Sequence, residues 1–306
     1  MTKEISTKSG YIAILGKPNA GKSTLMNAML GQKLSIVTSK PQTTRKRILG
    51  ILSEDDYQMI FLDTPGILEP AYLLQEKMME DVELSIRDAD VIVLILDVEA
   101  DAAGEYTFKD NTISTVISMN KKPKLLLINK VDLSTQEHVK SLIKKFEEKK
   151  LFAGIIPVSA SFGYNISSVI NAIIEHLPQH PKYFPDNIVA QEDERFFVSE
   201  IIRGKIFELY KEEIPYSCEV LIAEFKEREE QKNYISAEIV VEKESQKGIL
   251  IGKQGAAIKK LGQTAREAVE DFLQKPVYLE LRVKVRNKWR SDEMMLKSFG
   301  YIKNKD

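Results

Sequence analysis

The sequence predicts a doubly wound α/β domain followed by a smaller α+β domain, and three observations carry that reading. Strand-like apolar runs alternate with helical stretches over residues 11–176, the pattern of a mostly parallel sheet covered on both faces. A glycine loop of the phosphate-binding kind sits at the first strand-to-helix turn. A stretch with three prolines, residues 177–187, has neither helical nor strand period and marks the boundary with a region of two alternating runs and one long helix.

The first strand, residues 11–15, runs into Gly16-Lys17-Pro18-Asn19-Ala20-Gly21-Lys22-Ser23 and then a helix over 23–30. In the spacing G-x-x-x-x-G-K-[ST], N–H groups of the loop and helix end wrap phosphate oxygens. The lysine neutralises their charge and the serine hydroxyl takes Mg²⁺. Glycine is needed because a Cβ would block that approach. A short strand is expected at 33–37. A polar, proline-broken loop, 39–45, follows; a threonine there, Thr43 or Thr44, could reach the metal when a γ-phosphate is present. Strands are expected over 47–52 and from Gln58, the second ending in Asp63-Thr64-Pro65-Gly66. Asp63 can hold Mg²⁺ through water, and the Gly66 N–H can bond the γ-phosphate. Contacts made only while that phosphate is present are what an order-to-disorder switch requires.

A helix over 72–87 carries a Met and Leu stripe that reads as core, and residues 89–97 form a continuous apolar strand. A helix over 107–119 precedes the strand 123–128, which delivers Asn129-Lys130-Val131-Asp132. A carboxylate at Asp132 accepts from the N1–H and N2–H₂ donors of guanine, whereas adenine presents an acceptor at the matching ring nitrogen. Asn129 would tie loops together and touch the base, with the Lys130 stem over the ring. After a lysine-rich helix, 136–149, comes a strand over 152–158. It ends in Ser159-Ala160, whose backbone could close over the guanine O6, and the helix 165–176 follows.

Past the prolines, an amphipathic helix is expected over 192–210 and alternating strands over 216–225 and 234–241. A long helix, 256–273, and a strand, 277–285, complete an α-β-β-α-α-β order. Gly252-Lys253-Gln254-Gly255 has the GXXG form, which clamps the sugar-phosphate of a short single strand while apolar neighbours, here Ile249 and Ile251, hold bases. Residues 247–290 hold 11 basic and 4 acidic side chains against 6 and 12 in 191–230. With Lys259, Arg282, Lys284 and Arg286, that asymmetry points to RNA. The domains are therefore expected at 1–178 and 191–290, with a linker over 179–190 and a tail over 291–306. The tail is expected either to pack on the second domain or to extend the RNA surface.

A single cysteine and three scattered histidines give little support to disulfide, zinc or Ser/His/Asp chemistry, and Cys218 reads as a packed strand residue. The chain shows no apolar run long enough to span a bilayer and no secretory leader, so a cytoplasmic protein is expected.

In GKPNAGKS, PQTTR, DTPG, NKVD and VSA, taken in order, and in ERFFVSEIIRGKIFEL, EIPYSCEV and ILIGKQGAAIKKLG, the chain resembles the Era family of bacterial GTPases over nearly its whole length. The resemblance implies a P-loop GTPase domain followed by a type II KH domain. It implies slow GTP hydrolysis, binding of the 3′ end of 16S ribosomal RNA, a role in small-subunit assembly and peripheral association with the inner membrane. A monomer is expected. GTP or GDP would contact Gly16, Asn19, Ala20, Gly21, Lys22, Ser23 and Thr24, then Asp63, Thr64, Pro65 and Gly66, then Asn129, Lys130 and Asp132, and finally Ser159 and Ala160. Mg²⁺ would be held by Ser23, Asp63 and a switch threonine, Thr44 favoured over Thr43. Ile67 stands where Ras-like enzymes carry a water-orienting glutamine. Asn19 is therefore expected to help bind K⁺ beside the phosphates, as in similar GTPases, the alternative being a loop-capping asparagine. The side chains of Lys17 and Ala20 are expected to do no chemistry.

Overall fold

The computed structural model describes residues 7–38, 40–119, 121–229 and 231–302. Contacts divide the chain into two compact units. One comprises Met1–Ser35, Thr44–Glu69 and Met78–Gln191, the other Ile36–Thr43, Pro70–Lys77 and Glu192–Asp306.

The first unit holds β1 (Lys8–Gly16), α1 (Lys22–Leu30), β2 (Ile48–Ser53) and β3 (Tyr57–Asp63), then most of α2 (Leu73–Asp88), β4 (Val91–Asp97), α3 (Glu105–Phe108) and α4 (Asn111–Met119). β5 (Lys124–Asn129), α5 (Gln136–Glu148), β6 (Gly154–Pro157) and α6 (Ile166–His176) complete it. The sheet order is β2-β3-β1-β4-β5-β6, with only β2 antiparallel to its neighbour. β4 and β5 are buried along their whole length, as helices on both faces require. Their Ile92, Leu94, Leu126 and Ile128 pack with Val82 of α2, Ile113 of α4, and Leu142 and Phe146 of α5. The pairings Ile14↔Asp63, Gly16↔Ile95 and Asp97↔Asn129 bring Gly16, Asp63, Asp97 and Asn129 to one end of the sheet, where loops gather in doubly wound folds.

Three local expectations differ from what forms. Residues 33–37 make no strand. Instead the Asn27 side chain accepts from the Leu34 and Ser35 N–H groups and donates to Ser35 C=O, occupying the bonds a strand partner would use. The helix expected over 107–119 breaks in two, because Asp110 Oδ1 accepts from the Thr112 and Ile113 N–H groups and so starts α4 afresh. The proline-rich segment expected as a linker is bound to the first unit. Lys8 pairs with Gln179 and Gly50 with Ala190, and the fully buried Gln58 accepts from the Tyr183 and Phe184 N–H groups while donating to Phe184 C=O.

The second unit contains α7 (Glu194–Leu209), the single turn α8 (Ile214–Ser217), β7 (Glu219–Lys226), β8 (Asn233–Val241), α9 (Glu244–Ile251), α10 (Ala256–Leu273), β9 (Val277–Val285) and α11 (Glu293–Ser298). Its sheet runs β7-β8-β9, antiparallel then parallel. Ile235, Ala237, Ile239 and Val241 face the core, packed with Val198, Ile202 and Ile206 of α7 and Leu261, Ala265 and Val269 of α10. Alternation puts Tyr234 and Glu238, with Tyr278, Glu280, Arg282 and Lys284 of β9, on the face opposite α7 and α10. The tail packs on this unit: the Phe299 ring centre lies 5.4 Å from that of buried Trp289, which donates to Ser217 C=O, and Tyr301 donates to Glu219 at 2.7 Å. Cys218 is fully buried, just before β7 rather than within it. The two early segments are held here as well. Arg203 of α7 donates to Thr43 C=O, Lys40 to the Phe207 and Tyr210 carbonyls, and Arg290 lies 4.7 Å from the Tyr72 ring centre. Among the described residues, no helix is long and apolar enough to cross a membrane.

Candidate functional site

At the C-terminal end of β1 the chain turns through the phosphate loop into α1. Gly21 sits at φ 99°, and a Cβ there would lie 2.2 Å from the Asn129 side-chain nitrogen. Only glycine meets both demands. Lys22, 6% exposed, donates to the Gly16 and Lys17 carbonyls at 3.1 and 2.9 Å. Burial lowers its pKa to about 8, with Asp63 opposing the shift. The ammonium is thus held in a cradle of loop backbone that an anionic ligand would complete.

Beside it, Ser23 Oγ lies 2.8 Å from Asp63 Oδ2 and 3.0 Å from Thr44 Oγ1. Asp63 is fully buried and its Oδ1 makes no hydrogen bond. Burial raises its pKa, against the Ser23 hydrogen bond and the charge of Lys22. A buried carboxylate with a spare oxygen next to two hydroxyls suits a hard divalent cation such as Mg²⁺, which takes few protein ligands and shares phosphate oxygens. Among the described residues no group of three His, Cys, Asp or Glu side chains could by itself hold a metal ion. Thr44 stands in this group, whereas Thr43 presents its carbonyl to Arg203.

Gly66 lies against the loop: a Cβ on it would meet Pro18 Cα at 2.7 Å, and the Ile67 N–H bonds Gly16 C=O at 3.1 Å. Thr64 Oγ1 donates to Ile14 C=O, and the Ile67 side chain is fully buried in the core, leaving no polar group at that position to orient water. Asn19 is exposed and holds φ 63°. Lys17 does have a structural task. Its ammonium pairs with Asp110 at 2.6 Å and lies 4.7 Å from the Tyr106 ring centre, joining the loop to the α3–α4 turn.

The base end is assembled by Asn129. It donates to Ala20 C=O at 2.8 Å and accepts from the Ala160 N–H at 3.0 Å, linking three loops through one amide. Lys130, at φ 63°, pairs with Asp97 at 2.7 Å and Glu99 at 3.3 Å. Burial would lower its pKa, but the Asp97 hydrogen bond and charge outweigh that and hold it above the ordinary value. Asp132 is exposed and Ser159 buried. Sequence reasoning missed Asp97 and Asp110; the available signal for the first was its position at the end of an apolar strand.

In the second unit the GXXG loop joins α9 to α10. Gly252 has φ 71° and ψ 177°, and a Cβ would lie 2.6 Å from Ala257 Cβ; Gly255 has φ 77°. Lys253, Gln254 and Lys259 are exposed, Ile249 is half exposed and Ile251 partly covered. Tyr210 OH donates to Leu250 C=O at 2.9 Å, fixing α9 just before the loop, and burial pushes its pKa up to about 12. Arg282 and Lys284 are on the sheet face opposite α7 and α10, bonded to Glu280 and Glu238, and Arg286 is exposed.

Residues 11–130 match the family described as "50S ribosome-binding GTPase", and residues 213–290 match the KH domain. The chain is 46% identical to the GTPase ERA1, chloroplastic, of Zea mays over 96% of this chain and 70% of that one. It is 44% identical to the GTPase Era of Clostridium novyi (strain NT), over 96% and 99%. A solved Era in complex with MgGDPNP and nucleotides 1506–1542 of 16S ribosomal RNA shares 38% identity, covers 96% of this chain and 99% of that one, and superposes with a TM-score of 0.91. With a GTPase model over residues 11–130, a KH model over 213–290, and 44% identity to a GTPase Era covered to 99% of its length, the chain belongs to the Era family of GTPases.

Proposed function

We propose that this chain is a GTP-dependent switch that binds the 3′ end of 16S ribosomal RNA through its KH domain during assembly of the small ribosomal subunit. The observation that carries the reading is the near-full-length likeness to an Era solved with MgGDPNP and nucleotides 1506–1542 of that RNA. In this assignment Lys22 and the loop N–H groups bind the phosphates, Asp132 reads guanine, and Asn129 keeps the phosphate and base loops in register. Ser23, Thr44 and Asp63 would hold Mg²⁺, which when bound neutralises charge on the phosphates. Asn19 then serves a K⁺ ion, since Ile67 supplies no polar group; turnover in KCl and NaCl compares the two cases, and equal rates or an unaffected Asn19→Ala would sink this part.

The assignment as a whole is tested by titrating an RNA with the sequence of nucleotides 1506–1542 into the full chain loaded with GDP or with a non-hydrolysable GTP analogue. Tighter binding in the analogue state is expected. Equal affinity for a scrambled RNA would overturn it.

A further inference from the structure

At the end of α10 remote from the GXXG loop, an open cavity of about 930 Å³ is lined by Arg228, Lys232, Tyr234, Lys275 and Tyr278, among others. Tyr234 and Tyr278 face each other across β8 and β9 with ring centres 5.9 Å apart and planes 16° from parallel. Lys226 and Arg228 place their charges 5.7 and 5.9 Å from the Tyr234 ring centre. The Tyr234 hydroxyl donates to Glu280 at 2.6 Å, which fixes that ring in place. Tyr278 is 60% exposed, so its ring has a free face beside the cavity.

An exposed aromatic plane, backed by a second ring and edged by cations, is the chemistry that holds an unpaired nucleobase. It is unusual to leave such a ring open on a sheet that otherwise presents charged pairs.

From this placement we propose that Tyr278 is a stacking platform for a base of single-stranded RNA, a second seat beyond the GXXG loop. The proposal rests on the RNA-binding reading above and extends its footprint. A GXXG loop clamps about four nucleotides. α10 has 18 residues, and at 1.5 Å per residue its ends stand about 27 Å apart, so a strand must continue several nucleotides past the loop to reach Tyr278. The relative was solved with an RNA segment far longer than four nucleotides.

Charge contributes little at this seat. Glu229 also lines the cavity, Lys275 has Glu227 at 3.8 Å and Arg282 is bonded to Glu280. Affinity gained there comes from stacking and is nearly independent of salt, whereas phosphate contacts at the GXXG loop give a steep salt dependence.

The test uses the full chain and nested single-stranded RNAs from the 1506–1542 sequence, one just spanning the loop and others lengthened stepwise in either direction. In the wild type, affinity rises once the RNA is long enough to reach the second seat. Tyr278→Ala removes that gain, about tenfold, leaves the short RNA unaffected and keeps the salt slope; Tyr278→Phe retains the gain. Lys253→Glu weakens every RNA and flattens the slope. A long RNA bound equally by wild type and Tyr278→Ala, with GTP turnover intact in both, overturns the stacking seat. Failure of the wild type to bind any of the RNAs overturns the RNA reading beneath it.

Discussion

On the proposed assignment the exposed carboxylate of Asp132 would separate guanine from adenine, and a one-atom change tests it. In Asp132→Asn one acceptor becomes a donor that opposes the guanine N–H groups, and two charge-assisted hydrogen bonds are lost. GTP affinity should fall by a factor on the order of a hundred or more, while xanthosine triphosphate, which carries a carbonyl at C2, should bind better than to the wild type. Competition binding with the two nucleotides measures both, and an unchanged preference would show that another group reads the base. Tyr210 gives a pH prediction. Its pKa is raised from the ordinary 10 to about 12, mainly by burial and then by Cys218, so the folded state favours the protonated phenol. A raised folded-state value contributes stability that is complete below pH 10 and is lost as pH climbs through 12. The urea midpoint of the wild type should therefore drop more steeply than that of Tyr210→Phe between those values; parallel curves would remove Tyr210 from the account.

At the scale of elements, what was legible in the sequence was whatever depends on local pattern. The continuous apolar run that became β4 was readable because burial on both faces dictates that pattern. The phosphate loop and the DTPG and NKVD turns were expected at strand ends, and the strand pairings bring those ends together at one end of the sheet. Asn27, Asp110 and Gln58 gave no such signal, since each acts by seizing backbone groups that only the folded chain brings near. Gln58 is the sharpest of the three. It is fully buried and makes three hydrogen bonds to the backbone of Tyr183 and Phe184, 125 and 126 residues away. Gln58→Leu keeps the volume but orphans those groups, at a cost of about 2–4 kcal/mol. The segment 179–190 should become the first site of limited proteolysis. Cleavage no faster than in the wild type would mean the prolines alone hold the segment.

Across the whole molecule, the chain visits the second unit twice before residue 80, over 36–43 and 70–77, so the compact units are interleaved in sequence and a cut at the prolines does not separate them. Arg203 is central to the first visit. It is 1% exposed, pairs with Glu200 at 2.5 Å and donates to Thr43 C=O, one peptide bond from the Thr44 hydroxyl that meets Ser23. Burial would lower its pKa, but the charge of Glu200 overrides this and holds the guanidinium above its ordinary value. Breaking such a buried pair leaves an uncompensated charge, so Arg203→Met alone should cost about 3–5 kcal/mol, whereas Arg203→Met with Glu200→Met should recover much of it. The Thr43 carbonyl loses its partner in both variants. Amide exchange over 40–44 should therefore quicken in the double variant even where its global stability is restored, because that readout follows local opening and not the buried charge. Wild-type protection in that segment of the double variant would show that Lys40, bonded to the Phe207 and Tyr210 carbonyls, holds it without Arg203.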